Sequence, residues 1–359
     1  MSETLLRDDD LIVSSAGALR RITLNRPQAL NAITLDMAIA MTALLRDWQA
    51  DPKVGAVLLD GAGDRGFCAG GDIRALYDAA KSKPAHAADA LPVRFWATEY
   101  KLNVLIARYA KPVVAVMDGL VMGGGVGLSA HAAHRVVTER SAVAMPEVGI
   151  GFFPDVGASF LLARAAGGLG IYLALTGQRL GAADALVCKL ADVHVPADRL
   201  RELPAALANC CSHDHVRATL EQLSAAPAPA RLPNEREWID ACFTGEQLEE
   251  IVERLRASSA GAAQAALATM RKASPTSLKV TLRNVRSAAA FDRVEQSFVQ
   301  DYRIALACIA GHDFIEGIRA AIVDKDRNPR WRPDKIEAVT PDIVDRHFRS
   351  LGELELRFE

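Results

Sequence analysis

The chain has 359 residues, of which 50% are hydrophobic and 24% charged. That balance supports a buried core and excludes intrinsic disorder. Its 42 Lys and Arg against 44 Asp and Glu leave a net charge of -2, which argues against gripping nucleic acid through the overall field but leaves room for a small anionic ligand in a local pocket.

In chain order, Ala18 to Leu24 is short and partly apolar and suits a strand, broken by Asn25-Arg26-Pro27. Ile33 to Gln49 spaces its apolar residues helically, with Thr34 or Asn31 as the cap and Asp51-Pro52 as the stop. Val54 to Leu59 is a continuous apolar run of strand length, the kind buried on both faces. Glycine-rich Gly61 to Gly71 follows, then a helix near Ile73 to Ala80 and an exposed Lys/Pro/Ala segment to Pro92. The loop from Lys81 to Pro92 is a candidate gate. Phe95 to Tyr109 reads as a helix, Pro112 to Met117 as a strand, and Gly123 to Gly127 as a tight turn into a helix. Val136 to Thr138 and Ala142 to Met145 read as short strands.

This alternation predicts an α/β domain over 1–196. Beyond it helix formers dominate, so 197–359 reads as a helical C-terminal region, broken by the Pro-rich stretch Ala225 to Pro233. Gly245 to Ala268, Ser277 to Ala290 and Val294 to Ala310 are its expected helices. Six scattered cysteines without a CxxC read as reduced thiols. No apolar run reaches membrane-spanning length, and the acidic MSETLLRDDD is unlike a basic leader. These features together make the expected location cytoplasmic.

Several motifs point to chemistry that their context does not support. Gly61-Ala62-Gly63-Asp64-Arg65-Gly66 matches GxGxxG, but the next helix begins near Ile73, too late to aim its N-terminus at a pyrophosphate. Cys210-Cys211-Ser212-His213-Asp214-His215 is rich in ligand atoms without a structural-zinc spacing. There is no GxSxG. No metal or redox cofactor is expected.

Two glycine clusters are more informative, Ala69-Gly70-Gly71-Asp72-Ile73 and Met122-Gly123-Gly124-Gly125-Val126-Gly127-Leu128. Each ends a strand-like run and opens a helix-like one, where backbone N–H groups are free and a ligand carbonyl can approach. Two such donors on one oxygen form an oxyanion hole, each worth on the order of 3 kcal/mol to a transition state; close packing alone would also explain the glycines. Downstream, Glu147 and Asp155 sit eight residues apart in an apolar segment punctuated by Gly and Pro. Buried carboxylates need partners or a task, and two in different environments can divide acid, base and clamping roles. Glu99, among aromatic and apolar neighbours, is a third acid.

Taken together, Asn25-Arg26-Pro27 with Leu30-Asn31-Ala32, Phe67 to Ile73, Lys111-Pro112-Val113 and the Met122 to Leu128 turn resemble the crotonase (enoyl-CoA hydratase/isomerase) superfamily. The resemblance implies a spiral of ββα units, an acyl-CoA substrate, an oxyanion hole from the N–H groups of Gly71 and Gly124, and CoA binding near Ala69. It also implies oligomers, trimeric or smaller, unless the helical C-terminal region replaces those contacts. Hydratases of the family carry a first catalytic glutamate where this chain has Gly127, and a small residue where it has Asp155. That departure, with Glu99 to Asn103, Ser274 to Leu278, Asp313 to Gly317 and Asp324-Lys325 with Pro329 and Trp331, resembles the 3-hydroxyisobutyryl-CoA hydrolase branch. The branch implies catalysis by Glu147 and Asp155 and substrate contact from Glu99, Gly124, Glu147 and Asp155. The activity the branch implies is hydrolysis of a short 3-hydroxyacyl-CoA, 3-hydroxyisobutyryl-CoA by preference, as in valine breakdown, with a one-glutamate hydratase or isomerase and a non-catalytic CoA-binding protein as the alternatives.

Overall fold

The computed structural model describes residues 3–7, 9–82 and 87–358. Among them are strands β1 (Glu3–Arg7), β2 (Leu11–Ala16), β3 (Leu19–Leu24), β4 (Ala56–Gly61), β5 (Gly66–Cys68), β6 (Val113–Met117), β7 (Leu120–Met122), β8 (His134–Val137), β9 (Ala142–Ala144) and β10 (Val193–His194). They form a seven-stranded sheet ordered β1-β2-β3-β4-β6-β8-β10 and a three-stranded sheet ordered β5-β7-β9. The first three strands pair antiparallel, and every later pair in both sheets is parallel. Successive strands alternate between the sheets: β4 then β5, β6 then β7, β8 then β9, with helices Ile73–Ser82 and Gly124–Ser129 following the first two pairs. This is the expected ββα spiral.

Parallel pairing requires crossover connections and buries both sheet faces, which is why β6 is apolar and buried at all five positions. Register sets Leu58 against Val114 and Val116 against Val136. These side chains share one face with Leu19 and Ala56, and Leu203, Leu207, Val216, Leu220 and Leu223 cover it. Strand periodicity on one side and helical spacing on the other produce that layer.

Packing divides the chain into two units that interleave in sequence. One comprises 1–71, 98–144 and 179–232 and holds both sheets; the other comprises 72–97, 145–178 and 233–359 and is helical among the described residues. This division follows contacts rather than chain order. The composition change near residue 196 marks something different, namely that β10 ends at His194 and the elements after it are helices.

Local details refine the sequence reading. Thr34 is the cap of helix Leu35–Ala50, its side chain accepting from Met37 N–H at 3.2 Å. Asn31 instead pins the preceding loop: it accepts from Arg26 N–H at 2.9 Å and donates to Ala62 O at 3.0 Å and Gly66 O at 2.9 Å. The expected helix Gly245 to Ala268 is two helices, Leu248–Ala257 and Gly261–Met270. Of the candidate gate, residues 83–86 lie outside the described residues, and helix Leu91–Ala107 already begins before Pro92.

Candidate active site

In the sheet-bearing unit, β5 leads into Ala69-Gly70-Gly71 and β7 into helix Gly124–Ser129. Gly123 turns the chain at φ 51 and ψ -121, in the left-handed region a side chain disfavours. Gly124 is therefore the first helical residue, and its N–H has no acceptor within the helix. Neighbouring bonds anchor the facing loop, with Ala69 N–H donating to Leu30 O at 3.0 Å and Ile33 N–H to Gly70 O at 2.9 Å. A Cβ placed on Gly124 would lie 3.3 Å from Gly71 N and 2.4 Å from Glu99 Oε1. Gly71, Gly124 and Glu99 are thus brought together, with Ala69 half-buried two residues away.

Glu99 is 2% exposed. It lies close enough to Cys68 that its charge adds to burial in pushing that thiol up to about 12. Gly127 is buried three residues into the same short helix and carries no side chain there. The helix residues are GGVGLS, so it carries no acid at the position where the resemblance implies one for a hydratase.

The helical unit gathers the other acids. Glu147 opens the short 3-10 helix Glu147–Ile150 after Pro146, and is buried. Its Oε2 has no hydrogen-bond partner among the described residues. Burial, and then the charge of Asp155, push the Glu147 carboxyl well above its ordinary range. Asp155, 5% exposed, stands at the start of a turn in which Val156 takes φ 52 and Gly157 φ 73. Between the two acids in sequence, Phe152 stacks on Trp96 and Phe314 at centroid distances of 5.6 and 4.4 Å.

Among the buried carboxylates that the sequence reading did not single out, one bears on this segment. Asp301, 0% exposed in helix Val294–Ala310, accepts from Gly157 N–H at 2.8 Å and from Asn284 Nδ2 at 3.0 Å. Burial raises its carboxyl well above the ordinary range, although both donors favour the anion, and the Asp155 charge raises it further. A polar residue on the apolar stripe of that helix was the signal available in sequence.

The two motifs set aside in sequence have ordinary roles. The third glycine of the GxGxxG stretch, Gly66, opens β5, and a Cβ there would lie 2.7 Å from Leu120 O, so the glycine permits strand packing. Ser212 caps helix His213–Leu223 by accepting from His215 N–H at 3.2 Å. Among the described residues no group of three or more His, Cys, Asp or Glu is placed to hold a metal ion, and no helix is long and apolar enough to cross a membrane.

A family model described as enoyl-CoA hydratase/isomerase matches residues 19–348. A curated relative from Xenopus laevis, named 3-hydroxyisobutyryl-CoA hydrolase, mitochondrial, is 40% identical over 99% of this chain and 93% of its own. Two solved structures are equally extensive matches. One, a carnitinyl-CoA dehydratase from Mycobacterium thermoresistibile, is 45% identical with a TM-score of 0.91, covering 98% of this chain and 99% of the other. The second, an enoyl-CoA hydratase from Rhodobacter sphaeroides, is 41% identical with a TM-score of 0.90, covering 97% and 100%. The cytoplasmic location expected from sequence does not stand, because the curated relative is named as mitochondrial. Unpaired cysteines and the lack of a spanning helix among the described residues suit either compartment, so they carried no information about which one. A match over nearly the whole length, with a fold shared at TM-scores of 0.90 and above, establishes that the chain belongs to the enoyl-CoA hydratase/isomerase family.

Proposed function

We propose that this chain hydrolyses the thioester of a short 3-hydroxyacyl-CoA, with 3-hydroxyisobutyryl-CoA the first substrate, giving the free 3-hydroxy acid and CoA. The observation that carries the reading is the distribution of acids. Gly127 leaves the first hydratase position empty, while Glu147 and Asp155 are both buried and electrostatically coupled. Adding water across a double bond in this family uses two glutamates; opening a thioester needs one carboxylate. Full-length identity of 40% to a curated hydrolase supports the same conclusion.

In this reading the Gly71 and Gly124 N–H groups receive the thioester oxygen as it becomes an oxyanion, each contributing on the order of 3 kcal/mol. Glu147 either takes a proton from the attacking water or attacks the carbonyl carbon itself, forming a mixed anhydride that water then opens. The C–S bond breaks in both routes, and the thiol, with an intrinsic pKa of about 8.5, departs as thiolate without a strong acid. Support for Glu147 comes from its Oε2, buried with no protein partner among the described residues, and from burial and the Asp155 charge, which raise its carboxyl above the ordinary range. Asp155 orients water or the 3-hydroxyl, and a polar clamp on that hydroxyl rejects acyl groups lacking it far better than an apolar pocket does. Glu99 lies against Gly124 and contributes to substrate contact from that side.

A second reading, hydration or dehydration at a double bond, draws on the names of the two solved structures. Supplying 3-hydroxyisobutyryl-CoA and crotonyl-CoA in parallel separates the two. Free thiol from the first with slow loss of enoyl absorbance from the second is expected. Rapid enoyl loss without thiol overturns the hydrolase reading.

A further inference from the structure

Helix Val294–Ala310 buries an apolar stripe that includes Phe298, Ile304 and Ala305, yet two polar residues four positions apart, Ser297 and Asp301, are also 0% exposed on it. Both are spent on one segment. Asp301 accepts from Gly157 N–H at 2.8 Å. Ser297 and Ser159, the latter itself 0% exposed, share a hydroxyl–hydroxyl hydrogen bond. Burying polar groups inside a helix-packing face is costly unless each bond is made, so this investment marks a segment whose position matters.

The held segment is strained. Val156 is β-branched and takes φ 52, a conformation such residues rarely adopt, and Gly157 follows at φ 73. Such a turn persists only where its surroundings over-determine it. A second layer fixes Asp301 in turn: Asn284 donates to it at 3.0 Å, and Gln300 donates to Asn284 Oδ1 at 2.6 Å and to Ser287 Oγ at 2.7 Å. Asn284 is 1% exposed, so this chain runs within the packed helices.

We propose that Asp301 is a positioning residue, which holds the Val156–Gly157 turn while Ser297 holds Ser159 two residues on, and so fixes the Asp155 carboxylate beside Glu147. The C-terminal helices then set the catalytic geometry as well as enlarging the fold. The inference rests on the reading above that Asp155 takes part in thioester hydrolysis. What the tether requires at residue 301 is an acceptor for Gly157 N–H; Asn supplies one once the amides of Asn284 and Gln300 turn over to suit it.

The test measures kcat and KM for thiol release from 3-hydroxyisobutyryl-CoA in D301A, D301N, S297A and D155N, with folding checked by circular dichroism at the assay temperature. D301A is expected to lose about 10²-fold in kcat with KM within about threefold, as displacement of a reacting group by about 1 Å does. D301N is expected to recover to within about fivefold of wild type, and S297A to lose about tenfold. If D301A does not fold, S297A and D301N decide. Folded D301A or S297A with wild-type kcat, a change confined to KM, or a loss in D301N as great as in D301A overturns the tether. D155N at wild-type kcat instead overturns the reading of Asp155 itself. Loss in D155N with wild-type kcat in D301A and S297A overturns the positioning role alone.

Discussion

Replacing Gly124 by alanine adds a single methyl group at the point where the proposed oxyanion donors meet. That methyl carbon would lie 2.4 Å from Glu99 Oε1, 3.0 Å from Ile33 Cδ1 and 3.3 Å from Gly71 N. Contacts under 3.0 Å are not sustained, so the carboxylate or the helix start must move by at least about 0.6 Å, the range in which repulsion replaces attraction. Movement of the helix start carries the Gly124 N–H away from the thioester oxygen, and losing a donor costs about 10²- to 10³-fold in kcat; movement of the carboxylate instead pulls Glu99 from its proposed substrate contact. Stability responds differently, because alanine is a better helix former than glycine by about 1 kcal/mol. The expected G124A protein is therefore folded, close to wild type in its urea midpoint, and at least about 10²-fold slower in thiol release. G149A is the matched control, since nothing lies within 4 Å of a Cβ built there. G124A with kcat/KM within about threefold of wild type would refute the placement of the donors, given the size of the term they supply.

Other outcomes follow from the acids and thiols. The Asp155 charge is one of the causes that raise Glu147, so in D155N the Glu147 carboxyl titrates lower and the acid limb of the residual kcat–pH profile moves to lower pH; an unmoved limb would deny the coupling. Because Glu147 is raised above its unfolded value of about 4.3, the folded state binds more protons, and its stability falls as pH rises from there through the folded pKa. E147Q removes that term, so its Tm should exceed wild type at pH 7 and the gap should close toward pH 4; a lower Tm at pH 7 would contradict it. Five of the six cysteines are buried and Cys211 is exposed, with burial pushing Cys68 up to about 12. A thiol reagent should titrate Cys211 alone quickly in native protein, and fast reaction of a second thiol would show that a buried one is accessible.

Much of the spiral was readable because its signals are local. The apolar runs Val54 to Leu59 and Pro112 to Met117 have the length of buried strands, and they became β4 and β6. The small sheet was less legible: β5 and β7 are three residues each, too short to show a period. Helix Gly124–Ser129 starts inside what reads as a turn, because glycine lowers helix propensity. Packing reverses that, since a Cβ on Gly125 would lie 2.2 Å from Cys68 O and only a bare backbone fits. Glu147 and Asp155 stood out as acids in an apolar segment, whereas Asp301 was one of three charged residues in a long helix, with Glu295 and Arg303. Its meaning depends on Gly157, 144 residues away in sequence, and the interleaved units depend on contacts of the same kind.

Whether thioester hydrolysis runs through Glu147 is decided by thiol release from 3-hydroxyisobutyryl-CoA, measured for wild type and E147A side by side. Steady release is expected from wild type and a loss of at least about 10³-fold in a folded E147A, because the activating carboxylate is removed. Release from E147A at the wild-type rate would contradict it.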